Sequence, residues 1–182
     1  MTEKEIIDGC AKNNAICQRI LFDKYAGRLM TICLRYASDK SQAEDILQNS
    51  FMRIFSQIQQ FNFKGSFEGW LKKIVVNCAL KTIQKKTLFI SHNNYPETVS
   101  QTNFSALDNL SEAELIKLIS SLPDGYKIVF NLYVMEGYSH EEIATLLNME
   151  SSTSRSQLLK ARKLLQKQII DHQKIAINYE RK

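Results

Sequence analysis

Proline and glycine are scarce in this chain, at 2 and 6 among 182 residues. So small a supply of turn formers argues against sandwiches and barrels built from many hairpins. The cysteines Cys10, Cys17, Cys33 and Cys78 contain no C-x-x-C pair, and the three histidines are scattered. That spacing speaks against a zinc site or a disulfide framework, and the expected state is reduced, mostly buried thiols of a cytoplasmic protein. No apolar run approaches the roughly 20 residues that span a bilayer, so membrane insertion is not expected. The opening Met1-Thr2-Glu3-Lys4-Glu5 is polar and acidic, unlike a secretory signal. A glycine-rich phosphate loop is missing, and the acidic cluster Glu44-Asp45 falls on a helix face. Nothing here supplies a catalytic residue, a metal set or a cofactor site.

What is present is helical periodicity and unevenly distributed positive charge. With 44% apolar and 24% charged residues the composition is that of a folded, all-α protein. The net charge is +5, but its placement says more. Between Trp70 and Lys86 lie Lys72, Lys73, Lys81, Lys85 and Lys86 with no acid; between Ser152 and Gln168 lie Arg155, Lys160, Arg162, Lys163 and Lys167, again with no acid. Two such helices read either as solvated faces or as two footprints on a phosphate backbone.

Residues 14–37 have helical spacing, with Ile16, Ile20, Phe22, Tyr25, Leu29, Ile32, Cys33 and Tyr36 as apolar faces and Gly27 as a bend or break. Ser41 and Glu44 suggest a capping box for a helix that buries Ala43, Leu47, Phe51, Ile54 and Phe55. Gln60-Phe61-Asn62-Phe63-Lys64-Gly65 is an aromatic loop, after which Ser66 caps a basic helix. Phe67 and Trp70 share a helix face and are expected in the core. Residues 12–86 thus form one helical domain, and the aperiodic, polar 87–110 a flexible linker. In the second domain, 111–170, Ser111 and Glu114 cap one helix, Asp124 another that runs to Glu136, and Gly137 stops it. Ser139 and Glu142 then cap a short amphipathic helix, Asn148 suits a left-handed turn, and a basic helix follows from Ser151 or Ser152. That arrangement is a helix-turn-helix, whose second helix fits the major groove, with Leu158, Ala161 and Leu165 inward.

At this point the chain resembles a bacterial RNA polymerase sigma factor of the extracytoplasmic-function group. The first domain carries the likeness in Phe22-Asp23-Lys24-Tyr25-Ala26, Ala43-Glu44-Asp45-Ile46-Leu47-Gln48, Phe51-Met52-Arg53-Ile54-Phe55, Phe61-Asn62-Phe63-Lys64-Gly65-Ser66-Phe67 and Trp70-Leu71. The second carries it in Leu122-Pro123, Val129-Phe130, Gly137-Tyr138-Ser139, Glu141-Glu142-Ile143-Ala144 and Ser152-Thr153-Ser154-Arg155-Ser156. The resemblance implies a promoter-specificity subunit that binds core RNA polymerase and promoter DNA, with an anti-sigma protein as a further partner. It implies polymerase contacts at Asp45, Gln48, Asn49 and Met52, although an acid is usual where Asn49 stands. It places the opened minus-ten strand at Phe61, Phe63, Lys64, Lys72, Lys73, Asn77 and Lys81, where rings stack on unpaired bases. Duplex at the minus-thirty-five element would meet Thr153, Arg155, Ser156, Gln157, Lys160, Arg162 and Lys163. Leu159 either touches a thymine methyl or packs on its neighbours. The alternative is a helix-turn-helix regulator whose N-terminal domain senses a signal or dimerises; such a protein has no need of an aromatic loop beside a basic helix.

Overall fold

The computed structural model describes residues 1–87 and 111–180, and the side chains of all these except 84–87, 112 and 172–180. The expected linker therefore lies, apart from Thr87, outside the described residues. The fold is all-α, and the chain divides into two compact units, Met1–Ile90 and Ser91–Lys182.

The first unit holds α1 (Glu3–Ala11), α2 (Ala15–Tyr36), α3 (Lys40–Gln57) with a 3-10 turn at Ile58–Gln60, and α4 (Phe67–Thr87). α2, α3 and α4 pack against one another, and α1 lies on α2. α1 falls outside the expected domain of 12–86. It is nevertheless a complete helix, opened by a Thr2/Glu5 capping box and burying Ile6, Ile7 and Cys10. Gly9 sets its distance from α2, because a Cβ there would lie 2.2 Å from Cys17 Sγ.

α2 runs unbroken through Gly27, contrary to the expected bend. A mid-helix glycine costs only about 1 kcal/mol relative to alanine, and Tyr25 and Leu29 are anchored in the core on either side. The inward phase of its first turns is also corrected: Cys17 and Leu21 are buried, whereas Ile16 is 69% exposed and Phe22 lies at the rim. In α3 the cap is Asp39, not Ser41. Asp39 accepts from Gln42 N at 2.8 Å, while the Gln42 side chain accepts from Ser38 N at 2.7 Å, a reciprocal arrangement two residues earlier than expected. Ser66 caps α4 as expected, accepting from Gly69 N at 3.3 Å.

The second unit is organised on α8 (Ser151–Glu180), against which α5 (Glu112–Ser120), α6 (Asp124–Phe130) and α7 (His140–Leu147) all pack. Its core joins Ile119, Leu122, Ala161 and Leu165, flanked by Leu118, Tyr126, Phe130 and Leu164. The capping boxes at Ser111/Glu114 and Ser139/Glu142 are both formed. Asp124 does not cap α6. It sits in the first turn and pairs with Lys127 Nζ at 3.1 Å. Lys127 is only 2% exposed, and its ammonium also donates to the Ser120 carbonyl at 3.4 Å, satisfying the C-terminal end of α5. The helix expected to reach Glu136 widens into a π turn at Asn131–Met135, and Gly137 ends it at φ 78°.

Replacing Gly9 by alanine tests the α1–α2 contact. Helix propensity alone would favour alanine by about 0.8–1 kcal/mol, yet the crowding at Cys17 Sγ should give a net loss of about 1–3 kcal/mol. A urea midpoint equal to that of the wild type would show that α1 shifts without cost.

Candidate nucleic-acid interface

α3 is the first element whose outer face matters. Its buried stripe is Ala43, Ile46, Leu47, Ser50, Phe51 and Ile54. That phase turns Asp45, Gln48, Asn49 and Met52 outward together, with spacings of three and four along one face. Met52, 64% exposed, adds an apolar side chain to this polar stripe.

The aromatic loop does not present all its rings. Phe61 is only 7% exposed and packs among Phe67, Trp70 and Phe63, with centroids at 5.0, 5.6 and 5.1 Å. It was expected to face an unpaired base; a ring needs free faces to stack, and those of Phe61 are covered. Phe67 is buried and stacked on Trp70 at 5.7 Å, as its place on the helix suggested. Phe63 is different. It is 51% exposed and its backbone is left-handed at φ 59°. For a bulky L-residue this conformation costs about 1–2 kcal/mol. The turn is held by Asn62 Oδ1 accepting from Lys64 N at 3.1 Å and by Gly65 at φ 93°.

Along α4, Lys73, Asn77 and Lys81 are exposed at successive turns and form one stripe. Lys72 stands apart, paired with Glu68 at 3.1 Å. Glu68 also receives Arg28 of α2 at 3.0 Å, and these cations, Lys72 foremost, hold its carboxyl below the ordinary value. Reading the acid-free stretch from Trp70 onward overlooked Glu68. One helical turn before Lys72, it was a visible signal.

In the second unit Asn148 turns the chain at φ 52°, ψ 54° between α7 and α8. Ser154, Leu158, Ala161 and Leu165 are buried on α8. Thr153, Arg155, Ser156, Leu159, Lys160 and Lys163 are exposed on its outer side. Leu159 is thus not buried among its neighbours. Of the residues expected to face DNA, Gln157 is placed otherwise and Arg162 stands at the edge of the exposed face. Gln157 is half-buried and turns to α6, where its Oε1 would lie 3.3 Å from a Cβ on Gly125. Arg162 remains exposed, but its guanidinium stands 6.0 Å over the Tyr133 ring. There it borders an apolar groove of about 450 Å³ lined by Leu115, Leu118, Phe130, Val134 and Leu165.

Arg155 is held from two sides. Its Nη2 donates to Glu141 Oε1 of α7 at 2.7 Å, and its Nη1 to Ser151 Oγ at 3.1 Å. Beside it, His140 Nδ1 bonds the buried Ser154 Oγ at 2.9 Å, and the imidazole stacks on Tyr133 at 4.4 Å. Tyr133, on the π turn, and His140 and Glu141, at the start of α7, carried no expected contact with α8 side chains; only the fold brings them together.

A turn-linked helix pair with an outward cationic face defines the second unit as a duplex-DNA-binding domain of the helix-turn-helix class. Comparison with known proteins carries this further. The family model described as Sigma-70 region 2 matches residues 21–88, and that described as Sigma-70, region 4 matches 112–165; together they span two thirds of the chain. The extracytoplasmic-function (ECF) RNA polymerase sigma factor SigE of Mycolicibacterium smegmatis is 27% identical, over 84% of this chain and 61% of its own length. SigW of Bacillus subtilis is 27% identical over 83% and 88%, and the sigma-E factor of Haemophilus influenzae 24% over 93% and 96%. Among solved structures, RpoE in complex with the anti-sigma factor NepR from Bartonella quintana superposes with a TM-score of 0.52 at 19% identity, covering 84% of this chain and 96% of that one. CnrH in complex with the cytosolic domain of CnrY gives 0.50 at 16%, covering 93% and 97%. The chain belongs to the sigma-70 family, in its extracytoplasmic-function group. Among the described residues no helix is long and apolar enough to cross a membrane.

The His140 environment predicts a pH dependence. Burial disfavours the charged imidazole, and Arg155 and Arg162 add repulsion against the opposing pull of Glu141, so its pKa is lowered. The unfolded chain takes up this proton near pH 6.5. Stability from neutral His140 is therefore complete above about pH 6.5 and is lost as the pH falls toward the lowered folded value. Between about pH 7.5 and pH 5.5, amides of α7 and α8 should lose hydrogen-exchange protection, and His140→Phe should flatten that dependence. Equal slopes in both proteins would assign the titration to another group.

Proposed function

We propose that this chain is the promoter-specificity subunit of a bacterial RNA polymerase: it binds core enzyme, recognises the minus-thirty-five and minus-ten elements, and promotes initiation. The stripe Asp45, Gln48, Asn49 and Met52 on α3 is the polymerase-facing surface. Duplex at the upstream element meets the outer face of α8, through Arg155, Ser156, Lys160 and Lys163 with Thr153 at its start. The opened strand meets Phe63, Lys64 and the Lys73–Asn77–Lys81 stripe of α4. The first domain includes α1 in this reading, so it begins near residue 3.

The observation that carries the proposal is Phe63, a half-exposed ring on left-handed backbone at the foot of a basic helix, in a chain that also holds a duplex reader. A helix-turn-helix regulator with a sensing or dimerising domain has no use for it. No chemical step is assigned to the protein. Separating a base from its neighbours costs a few kcal/mol, and stacking on an aromatic side chain returns about 1–3 kcal/mol per base. Phe61 being withdrawn, one ring is offered, so capture centres on a single base. The setting is the cytoplasm, where polymerase and promoter meet. Two solved relatives are bound to an anti-sigma factor or to the cytosolic domain of a partner, and an anti-sigma protein is the regulator proposed here.

Transcription by sigma-free core polymerase with the purified chain, on templates from its own genome, is the direct test; no transcript from any template would end the proposal. Asp45→Lys should lower co-purification with core polymerase about tenfold or more, and undiminished recovery would remove α3 from that surface. Phe63→Ala should leave polymerase binding intact while permanganate reactivity of promoter thymines falls about fivefold or more, in line with the loss of one stacked base. Because the ring is half-exposed and touches Phe61 at one edge of the cluster, the variant should fold with a loss of no more than about 1–2 kcal/mol, which a urea midpoint checks.

A further inference from the structure

We infer that Glu141 is a specificity-determining positioning residue: it fixes Arg155 as a base reader and removes it from the pool of phosphate-binding cations. The inference rests on the reading of α8 as the duplex-reading helix. Glu141 lies on α7 and faces Arg155 across the turn, with Oε1 2.7 Å from Nη2. Ser151 Oγ takes a hydrogen from Nη1 at 3.1 Å. The guanidinium is thus oriented by partners on two helices, although both charged side chains are more than half exposed.

The turn that carries Glu141 is tied down by several contacts. His140, its neighbour, is bonded to buried Ser154 and stacked on Tyr133, and Ser139 and Glu142 close the capping box around the same turn. The backbone that carries Glu141 is thus anchored at the start of α7.

Two consequences follow from the chemistry of arginine. Of its five N–H donors, two are engaged, leaving enough for the two acceptors on a guanine edge. Its charge, however, is already matched by Glu141. A paired cation releases few counterions from DNA, so Arg155 contributes to base choice and little to the salt-dependent grip on phosphates. Lys160 and Lys163 on the neighbouring face supply that grip. An exposed ion pair contributes little to stability; its value lies in orientation.

The test uses holoenzyme assembled from core polymerase and the full chain. Its probes are a duplex with the upstream element found at the protein's own start sites, and duplexes in which each G·C pair is changed to A·T. Affinity for each is measured across salt concentrations for the wild type, Arg155→Ala, Glu141→Ala and Glu141→Gln. Arg155→Ala should lower discrimination at one base pair about tenfold. Glu141→Ala should lower discrimination at that same pair about threefold or more, raise affinity for the changed duplex, and steepen the salt dependence by about one phosphate contact. Glu141→Gln, which keeps an acceptor but no charge, should steepen the salt dependence equally and retain more of the discrimination.

Discrimination unchanged by Glu141→Ala, or an equal loss of affinity on all duplexes, overturns the inference while an effect of Arg155→Ala leaves the reading of α8 standing. If Arg155→Ala also changes nothing, the duplex-reading face itself is misassigned.

Discussion

The second unit depends on one constraint: the narrow stripe Ser154, Leu158, Ala161 and Leu165 must face inward. Ser154 and Ala161 are fully buried small residues, so they fix both how closely the preceding helices approach and which way α8 is rotated. α5 and α6 pack about Ala161 and Leu165, and α7 meets the stripe at Ser154. Once that rotation is set, the outward direction of Arg155, Lys160 and Lys163 is not a separate choice. It follows from the period of the helix.

A comparable dependence governs the first unit. Phe61, Phe67 and Trp70 gather into one aromatic cluster, and withdrawing Phe61 into it leaves a short arc to return the chain to α4. Asn62, Phe63, Lys64 and Gly65 form that arc. The left-handed backbone at Phe63 is the local cost, and a half-exposed ring projecting from the arc is its result. Strain at this residue is therefore tied to the packing of its neighbour.

Local rules made much of this legible. The capping pairs at Ser111 and Ser139, the left-handed turn at Asn148, the stop at Gly137 and the inward face of α8 each depend on residues a few positions apart. What escaped depended on tertiary neighbours. Phe61 and Phe63 look alike in sequence, and only the cluster around Trp70 separates them. Gln157 turns inward because Gly125, on another helix, leaves space for it. Arg155 finds Glu141 across a turn. Other misses were local: Asp39 outcompeted Ser41 as a cap because Gln42 could reach back to Ser38, and the Thr2/Glu5 pair opening α1 was there to be read.

The sealed ammonium of Lys127 has a bearing on how strongly this molecule pulls on DNA from afar. That ion, like the cations at Lys72 and Arg155, stands against a carboxylate, so each pair adds nothing to the net charge of +5 and little to the field in solvent. Long-range attraction then originates from cations elsewhere, Lys73, Lys81 and Lys163 on the exposed faces of α4 and α8 among them. Where those charges stand, more than how many cations the chain holds, sets the direction from which polyanionic duplex is drawn in.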